Sequence, residues 1–529
     1  MIFGFFEIAQ IVPLIVSSLF LIASIIIYNK SKLSITLLFI GTLGLGYFIA
    51  NLDPFLILWD EQYHALVAKN LVINPLKPTL FPEPLLTFSY KNWTENHIWL
   101  HKQPLFLWQM ALSIKLFGLN EIAVRIPSIL MHAILPIFIY RIGFIVLNKR
   151  TAFFGALFFA TAYFPLELVA GRYSTDHNDI AFLFYLIGSF WSWFEYKNSK
   201  KYYWLILTGL FSGGAVLNKW LMGLLIYIVW IVSKFIGDSK NRFFIKSYFP
   251  IIYTGILSLV VFIPWQIYTR INFPKESSYE ASLNIKHFSE PIEGHYGNLW
   301  FYFTNGFNTL YGSGVIMPFV LLFGIVFMIY KIRNKEYKIG IITTIIVVYS
   351  VFTLAETKMI AFPLIITPFT YLGIGALLDS LLSITKKKVS IPIVTTILSI
   401  LIPLSISYAA LNLKRIQNYH TMRNPYDNHN RVRELIEMKF IDSLIEMKLD
   451  QDYVIFNSCI TVNGNIPIMF YTNHTAYSFI PSVSQIREIK NVGKKVAVIN
   501  LGNLPKYILY DKDIKILHLK KERMKFSFS

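Results

Sequence analysis

Apolar runs close to the length of a membrane span recur along this chain, and they limit its folding more than any other feature. They lie near 8–28, 34–51, 125–147, 151–169, 179–195, 202–217, 220–236, 248–268, 314–331, 338–355, 359–380 and 389–411. A helix needs about 20 residues to cross the hydrocarbon of a bilayer. Backbone N–H and C=O groups there must be paired within the segment, so the runs are expected to be helices. The expected fold class is mainly α, a polytopic membrane helical bundle of about 12 transmembrane helices. Composition points the same way. The chain is 55% hydrophobic and 15% charged, against about 25% charged residues in soluble domains.

Alternate loops are short and basic: Asn29-Lys30-Ser31-Lys32, Asn148-Lys149-Arg150, Lys197 to Lys201, Lys234 to Lys246, Lys331 to Lys338 and Lys386-Lys387-Lys388. All six fall on one side when the runs are counted in order, which by the positive-inside rule is the cytoplasm. The net charge of +19 then reflects topology, and no nucleic acid partner is expected. The loops at 52–124, 170–178 and 269–313 fall outside, as do both termini. The count is most sensitive at Asn218-Lys219, because a single helix over 202–236 would invert everything downstream. The N-terminus shows no basic n-region and no small-residue cleavage site, so the first run reads as a retained anchor. One cysteine, Cys459, excludes an intramolecular disulfide and a multi-cysteine metal site.

Residues 1–411 read as a transmembrane domain. Residues 412–529 change character: a charged stretch is followed by strand-like runs at Tyr453-Val454-Ile455-Phe456 and Val496-Ala497-Val498-Ile499-Asn500. Helix-like segments between them suggest a small extracytoplasmic α/β domain. It carries no Gly-rich phosphate loop.

The polar chemistry gathers in the outer loops, where 52–124 and 269–313 are expected to carry an active site. Trp59-Asp60-Glu61-Gln62-Tyr63-His64 follows the second run. The acidic pair reads either as the solvated cap of a loop helix or as a carboxylate held in a cleft to act as general base. His101-Lys102-Gln103-Pro104 comes next, and lysine binds phosphate as a point charge. Glu290-Pro291-Ile292-Glu293-Gly294-His295-Tyr296-Gly297 adds an imidazole from a distant loop. Two imidazoles and a carboxylate on one membrane face can form a divalent-metal site, although a lone histidine is more often structural. Lys219 and Lys358 stand between apolar runs, where a charge either faces a cavity or snorkels to the interface. Arg172, Asp176, His177 and Asp179 crowd the short loop at 170–178 and the helix entry after it.

In order, Asp60-Glu61, His101-Lys102-Gln103-Pro104-Leu105 with Trp108, Phe117-Gly118, and Arg125-Ile126-Pro127-Ser128 resemble the C-type (GT-C) glycosyltransferase superfamily. The branch resembled is that of the protein O-mannosyltransferases and aminoarabinose (lipid A) transferases. The resemblance runs on through Leu217-Asn218-Lys219, Glu293-Gly294-His295-Tyr296-Gly297 with Trp300-Phe301-Tyr302, and Lys358 with Phe362-Pro363. It covers about residues 34–380.

The resemblance implies an integral-membrane glycosyltransferase that moves a sugar from a polyprenyl-phosphate donor to an extracytoplasmic acceptor by inverting displacement. Asp60 matches the catalytic aspartate, with Glu61 beside it. Lys102 and Lys219 match donor-phosphate ligands, a group to which Tyr63 and Lys358 are also assigned. His101 and His295 match the positions of metal ligands, so a divalent metal is expected. Arg172, Asp176, Asp179, Glu293 and Tyr296 are candidates for substrate binding. The family has one aspartate at the head of the helix after 170–178; Asp176 and Asp179 both qualify, and Asp179 fits the following apolar run better. Three departures stand out: Gln103 replaces the first proline of the usual Lys-Pro-Pro, Tyr63 stands where the aminoarabinose branch has arginine, and an extra span precedes the family core. The expected partners are membrane lipids, a lipid-linked sugar, and a glycan, lipid or protein acceptor that the tail could select. A bacterial or archaeal plasma membrane is the expected location. No nucleotide cofactor is expected, since neither a P-loop nor a dinucleotide fingerprint occurs. A transporter or flippase of an anionic, lipid-linked substrate is the alternative, but its ionisable groups would sit near the midplane rather than in outer loops.

Overall fold

The computed structural model describes residues 8–173, 175–311, 317–385, 397, 431–458, 463–502 and 504–518. The expected run at 389–411 (residue 397 apart), the basic loop 386–388 and Cys459 lie outside these residues. Helices form where the apolar runs predict them. In chain order they are α1 (Ile8–Ile26), α2 (Ser31–Ala50), α3 (Asp60–Ile73), α4 (Pro104–Phe117), α5 (Glu121–Val146), α6 (Lys149–Ala160), α7 (Tyr163–Val169), α8 (Asp176–Ser199), α9 (Tyr203–Lys219), α10 (Leu225–Gly237), α11 (Phe249–Asn272), α12 (Pro274–Lys286), α13 (Phe307–Tyr311), α14 (Met317–Lys331), α15 (Lys335–Leu354) and α16 (Thr367–Thr385).

Among the described residues six helical runs are long and apolar enough to cross a membrane, or seven if the bent pair α6 and α7, 48° apart, is one span. That is fewer than the twelve expected. One of the six, Tyr203–Gly237, covers two expected spans, and the apolar stretches Ile11–Ile26 and Pro318–Lys331 are shorter than the rest. Between α9 and α10 the chain turns back. Trp220 takes a left-handed φ of 56°, and a tight turn at Trp220–Leu224 lets Ser212 Oγ donate to Gly223 O at 2.8 Å. In an unbroken helix residues eleven apart are separated by about 16 Å.

The helices pack on small residues, as spans do where no hydrophobic effect drives them together. A side chain at Gly209 or Gly213 of α9 would run into Leu257 and Val261 of α11, and Gly324 of α14 meets Gly373 of α16 backbone to backbone. The outer face of α11 carries exposed Ile252, Ile256, Leu259 and Val260, as a surface facing lipid would.

The basic loops meet at one end of the bundle. Lys149 donates to the carbonyl of Asn29, Arg150 pairs with Asp379 and Lys197 pairs with Glu336. At the other end, α3, α4 and α12 with their loops form a cap. The tail adds a parallel three-stranded sheet in the order β1 (Tyr453–Phe456), β2 (Lys495–Ile499) and β3 (Ile514–Leu517). Its helix Asn465–Tyr471 docks behind α3. Lys69 Nζ donates to Met469 O and Phe470 O at 2.6 and 2.8 Å, Tyr471 OH donates to Glu121 Oε1 at 2.5 Å, and Tyr477 stacks on Phe81.

Candidate active site

A cavity of about 1060 Å³ opens at the capped end, walled by stretches of chain that are far apart in sequence, from Trp59 to Ile365. Asp60 comes from α3, His101 and Lys102 from the loop before α4, Asp179 from α8, Lys219 from the end of α9, and Glu293 and His295 from the loop after α12. Residues 60, 101, 102 and 295, far apart in sequence, thus face one space.

Local backbone fixes each group. Asp60 opens α3 and Glu61 follows in its first turn, where the positive end of a helix dipole favours carboxylates. Trp59 before it has φ 74° and Thr175 before α8 has φ 66°. Thr175 thereby aims its N–H at Asp60 Oδ2, 3.1 Å away. Of seven non-glycine residues with positive φ among the described residues, Trp59, Thr175, Trp220 and Glu293 line the cavity. Such backbone costs about 1–3 kcal/mol per residue and clusters where function requires it. The 287–295 loop is sutured to the loop after α15: Thr357 N–H donates to His287 O, Lys358 N–H to His295 O, and Thr357 Oγ1 to Glu290 O, at 3.1, 3.0 and 2.9 Å. Trp93 ties it to the 89–97 loop by donating Nε1–H to Glu293 Oε1 at 2.6 Å, and stacks flat on His101 with centroids 4.7 Å apart.

Asp60 Oδ1 lies 3.7 Å from Lys102 Nζ and 3.9 Å from His64 Nε2. Burial alone would push its carboxyl up; Lys102, His64, the Thr175 N–H and His101 outweigh that and hold it below its ordinary value. Lys219 pairs with Asp179 and lies over the ring of Phe362. His295 is kept neutral chiefly by burial.

The other candidates lie elsewhere. Glu61 turns to the opposite side of α3 and is closed off. Arg125 grips it at 2.7 and 2.8 Å, the Ile57 N–H donates at 2.6 Å and His177 Nε2 lies 3.0 Å away. Burial opposes its charge, but Arg125 and His177 hold its carboxyl down to about 2. Gly171, at φ 75°, leaves room for it, since a Cβ there would sit 2.4 Å from Glu61 Cδ. Tyr63 is buried with its hydroxyl toward Thr94 O. Arg172 pairs with Asp53 and Glu167 at 2.7 and 3.0 Å. Lys358 caps the end of α15 through the carbonyls of Thr353 and Ala355. Tyr296 is 72% exposed. Asp176 lies behind His64, which reaches it at 3.0 Å. None of these six lines the cavity, and among the described residues neither does any residue of the tail.

His101 and His295 share the cavity, yet among the described residues no three His, Cys, Asp or Glu side chains converge closely enough to hold a metal ion. His101 Nε2 sits 3.2 Å from the Lys102 ammonium, which would repel a dication bound there. The donor set as arranged does not fit a metal centre. Sequence reasoning missed Glu280, whose carboxylate faces His101 Nδ1 at 3.5 Å, because nothing in the polar run of α12 marks it. It also missed Trp93, although an indole in the polar run 89–97 was a usable signal.

Residues 101–268 match the family model described as dolichyl-phosphate-mannose-protein mannosyltransferase. An uncharacterized protein of Aquifex aeolicus (strain VF5) is 27% identical over 165 residues, 30% of this chain and 29% of that protein. The chain thus spans under a third of that relative's length. The crystal structure of ArnT from Cupriavidus metallidurans bound to undecaprenyl phosphate is similar at a TM-score of 0.57 and 12% identity, covering 86% of this chain and 88% of that one. AglB, an oligosaccharyltransferase of Archaeoglobus fulgidus, in complex with an inhibitory peptide and a dolichol-phosphate, is similar at 0.51 and 10%, covering 85% and 64%. At these identities the likeness is one of fold.

Proposed function

From the C-type glycosyltransferase fold of this PMT- and ArnT-like chain, we propose that it is an integral-membrane glycosyltransferase. It moves a sugar from a polyprenyl phosphate to the hydroxyl of an acceptor outside the cytosol. The observation that carries this reading is the meeting of Asp60, Lys102, Asp179 and Lys219 in one cavity at the end of the bundle away from the basic loops. The cavity also has an apolar side: Leu221, Ile285 and Phe288 line it while being 67, 72 and 58% exposed. A lipid tail can leave over that wall into the bilayer while its phosphate stays with the lysines.

Asp60 remains a carboxylate at neutral pH and takes the proton from the acceptor hydroxyl. The acceptor oxygen bonds to the anomeric carbon as the bond from that carbon to the phosphate oxygen breaks, with inversion. The departing phosphate gains a second negative charge, which Lys102 and Lys219 meet where it develops. Their present partners, Asp60 and Asp179, give way to the phosphate when the donor binds. The two-helix turn at Trp220 supports the topology in which this end is extracytoplasmic, and the tail, docked on the 52–124 loop, is then on the same side. In the test, the purified chain in lipid receives a panel of polyprenyl-phosphate sugars and mass spectrometry follows each. Consumption of one donor with release of the polyprenyl phosphate is expected. Movement of intact donor across vesicles without its cleavage would instead make the chain a transporter.

A further inference from the structure

Resting on the glycosyl-transfer reading, we propose that His101 and Glu280 together bind one hydroxyl of the transferred sugar and select that hydroxyl over an amine. Glu280 stands on α12 and His101 before α4, and both line the cavity. The Glu280 and His101 side chains are 4 and 9% exposed. His101 Nδ1 and Glu280 Oε2 face each other at 3.5 Å, yet each is a buried atom without a hydrogen-bond partner among the described residues. Leaving such atoms unpaired destabilises a fold, so the arrangement calls for a ligand group that pairs both.

The other side of the imidazole decides which group fits. Lys102 Nζ lies 3.2 Å from His101 Nε2. An ammonium has only hydrogens to offer, so Nε2 holds the lone pair and Nδ1 carries the hydrogen. The open pair is therefore one N–H donor beside one carboxylate acceptor. A hydroxyl accepts and donates at once. Its oxygen can lie about 2.8 Å from each of two atoms this far apart, an ordinary hydrogen-bond length. A protonated amine only donates, so it would leave the Nδ1–H unpaired and bring a second cation close to Lys102.

The imidazole is clamped in this orientation. Trp93 stacks on it at 4.7 Å and Trp99 meets it edge-on at 5.7 Å, while Glu293 holds the Trp93 indole at 2.6 Å. Lys102 links the pair to the reacting groups, because its ammonium also lies 3.7 Å from Asp60 Oδ1. An ammonium has three donors, so Lys102 keeps His101 while a phosphate takes the place of Asp60. A donor with its phosphate at Lys102 then carries its sugar beside Nδ1 and Glu280, across the imidazole from the ammonium.

The test uses the full chain in lipid and the polyprenyl-phosphate sugar it consumes fastest. Analogues of that donor replace each sugar hydroxyl in turn by hydrogen or by an amine. One deoxy analogue is expected to lose at least about tenfold in kcat/KM, the scale of one hydrogen bond to a charged group, and the amine at the same carbon to do no better. In Glu280→Ala the normal donor should fall to the level of that deoxy analogue, so that the two agree within about threefold, as groups without coupling do. A purely structural role would slow both donors alike and leave their ratio unchanged. His101→Phe keeps the aromatic stack and carries the same comparison if Glu280→Ala does not fold, and the analogue series on the unmodified chain needs no variant. A ratio unmoved by the substitutions, equal use of every deoxy analogue, or full activity with the amine would overturn the proposal and leave the glycosyl-transfer reading standing. Failure of the unmodified chain to consume any donor would overturn both.

Discussion

Asp60 and Glu61 are neighbours of like chemistry, and the fold treats them in opposite ways. Consecutive helical residues point about 100° apart, so Asp60 faces the cavity while Glu61 faces the protein interior. Asp60 has one backbone donor and a lysine at 3.7 Å, an arrangement that leaves room for a substrate hydroxyl. Glu61 takes the Arg125 fork, a backbone N–H and an imidazole, and both it and Arg125 are fully buried. One side of α3 is built to react and the other to hold the helix in place. A carboxylate's neighbours, and not its position in a motif, assign it to one task.

The sharpest way to break this contrast is substitution at each position. Asp60→Asn should lower turnover by about a thousandfold, within the range for a general base, with thermal stability near that of the unmodified chain. Glu61→Gln should do the reverse. It leaves the Arg125 guanidinium buried and short of charge, which costs about 3–5 kcal/mol; the readout is loss of folded protein in thermal unfolding, while the remaining folded fraction turns over. If the two variants behave alike, the contrast fails.

Lys102 sharpens the cavity side. Lys102→Ala should raise the donor concentration needed for half-maximal rate by about tenfold, the loss of one charged contact worth ~1.4 kcal/mol. It should also move the acid limb of the pH profile. Asp60 acts as base only when ionised, so activity is present above its pKa and lost as pH falls through it. Lys102 holds that pKa down, so its removal shifts the limb to higher pH. An unmoved limb would separate Lys102 from Asp60.

Two buried imidazoles should make the fold acid-labile. His64, lowered to about 3 mainly by burial, and His287, lowered to about 4 likewise, are neutral in the folded chain and titrate near 6.5 when unfolded. The unfolded chain therefore binds more protons below that pH, and stability falls as pH drops from about 6.5 toward 4. Glu61 adds a further loss between its ordinary value near 4.5 and about 2. Unfolding temperature against pH reads both. The smallest effect is expected at Tyr296→Ala, an exposed side chain outside the cavity, where stability should stay within about 0.5 kcal/mol.

Much of the fold was legible because apolar length and basic loops are one-dimensional signals. The break at Trp220 was foreseen as a point of decision, and only the backbone reversal there decides it. In the site, Asp60, His101, Lys102, Asp179, Lys219 and His295 stand out by residue type and order, and they share the cavity. What sequence could not do was sort like from like. Arg172, Lys358 and Glu61 carry the same charges as functional groups, and their partners Asp53, the carbonyl end of α15 and Arg125 are set by packing across long separations. Glu280 illustrates the converse: a polar helix residue becomes part of the wall only when α12 folds over His101.

The central claim, that one cavity holds a lipid-linked donor with its phosphate at the lysines and its anomeric carbon before Asp60, is met most directly by an experimental structure with a non-transferable polyprenyl-phosphate sugar analogue. The phosphate is expected within about 4 Å of the Lys102 and Lys219 ammoniums, as ion pairs require, with the lipid tail passing over Leu221 and Phe288. An analogue bound with its phosphate away from both lysines, or with Asp60 turned from the sugar, would contradict it.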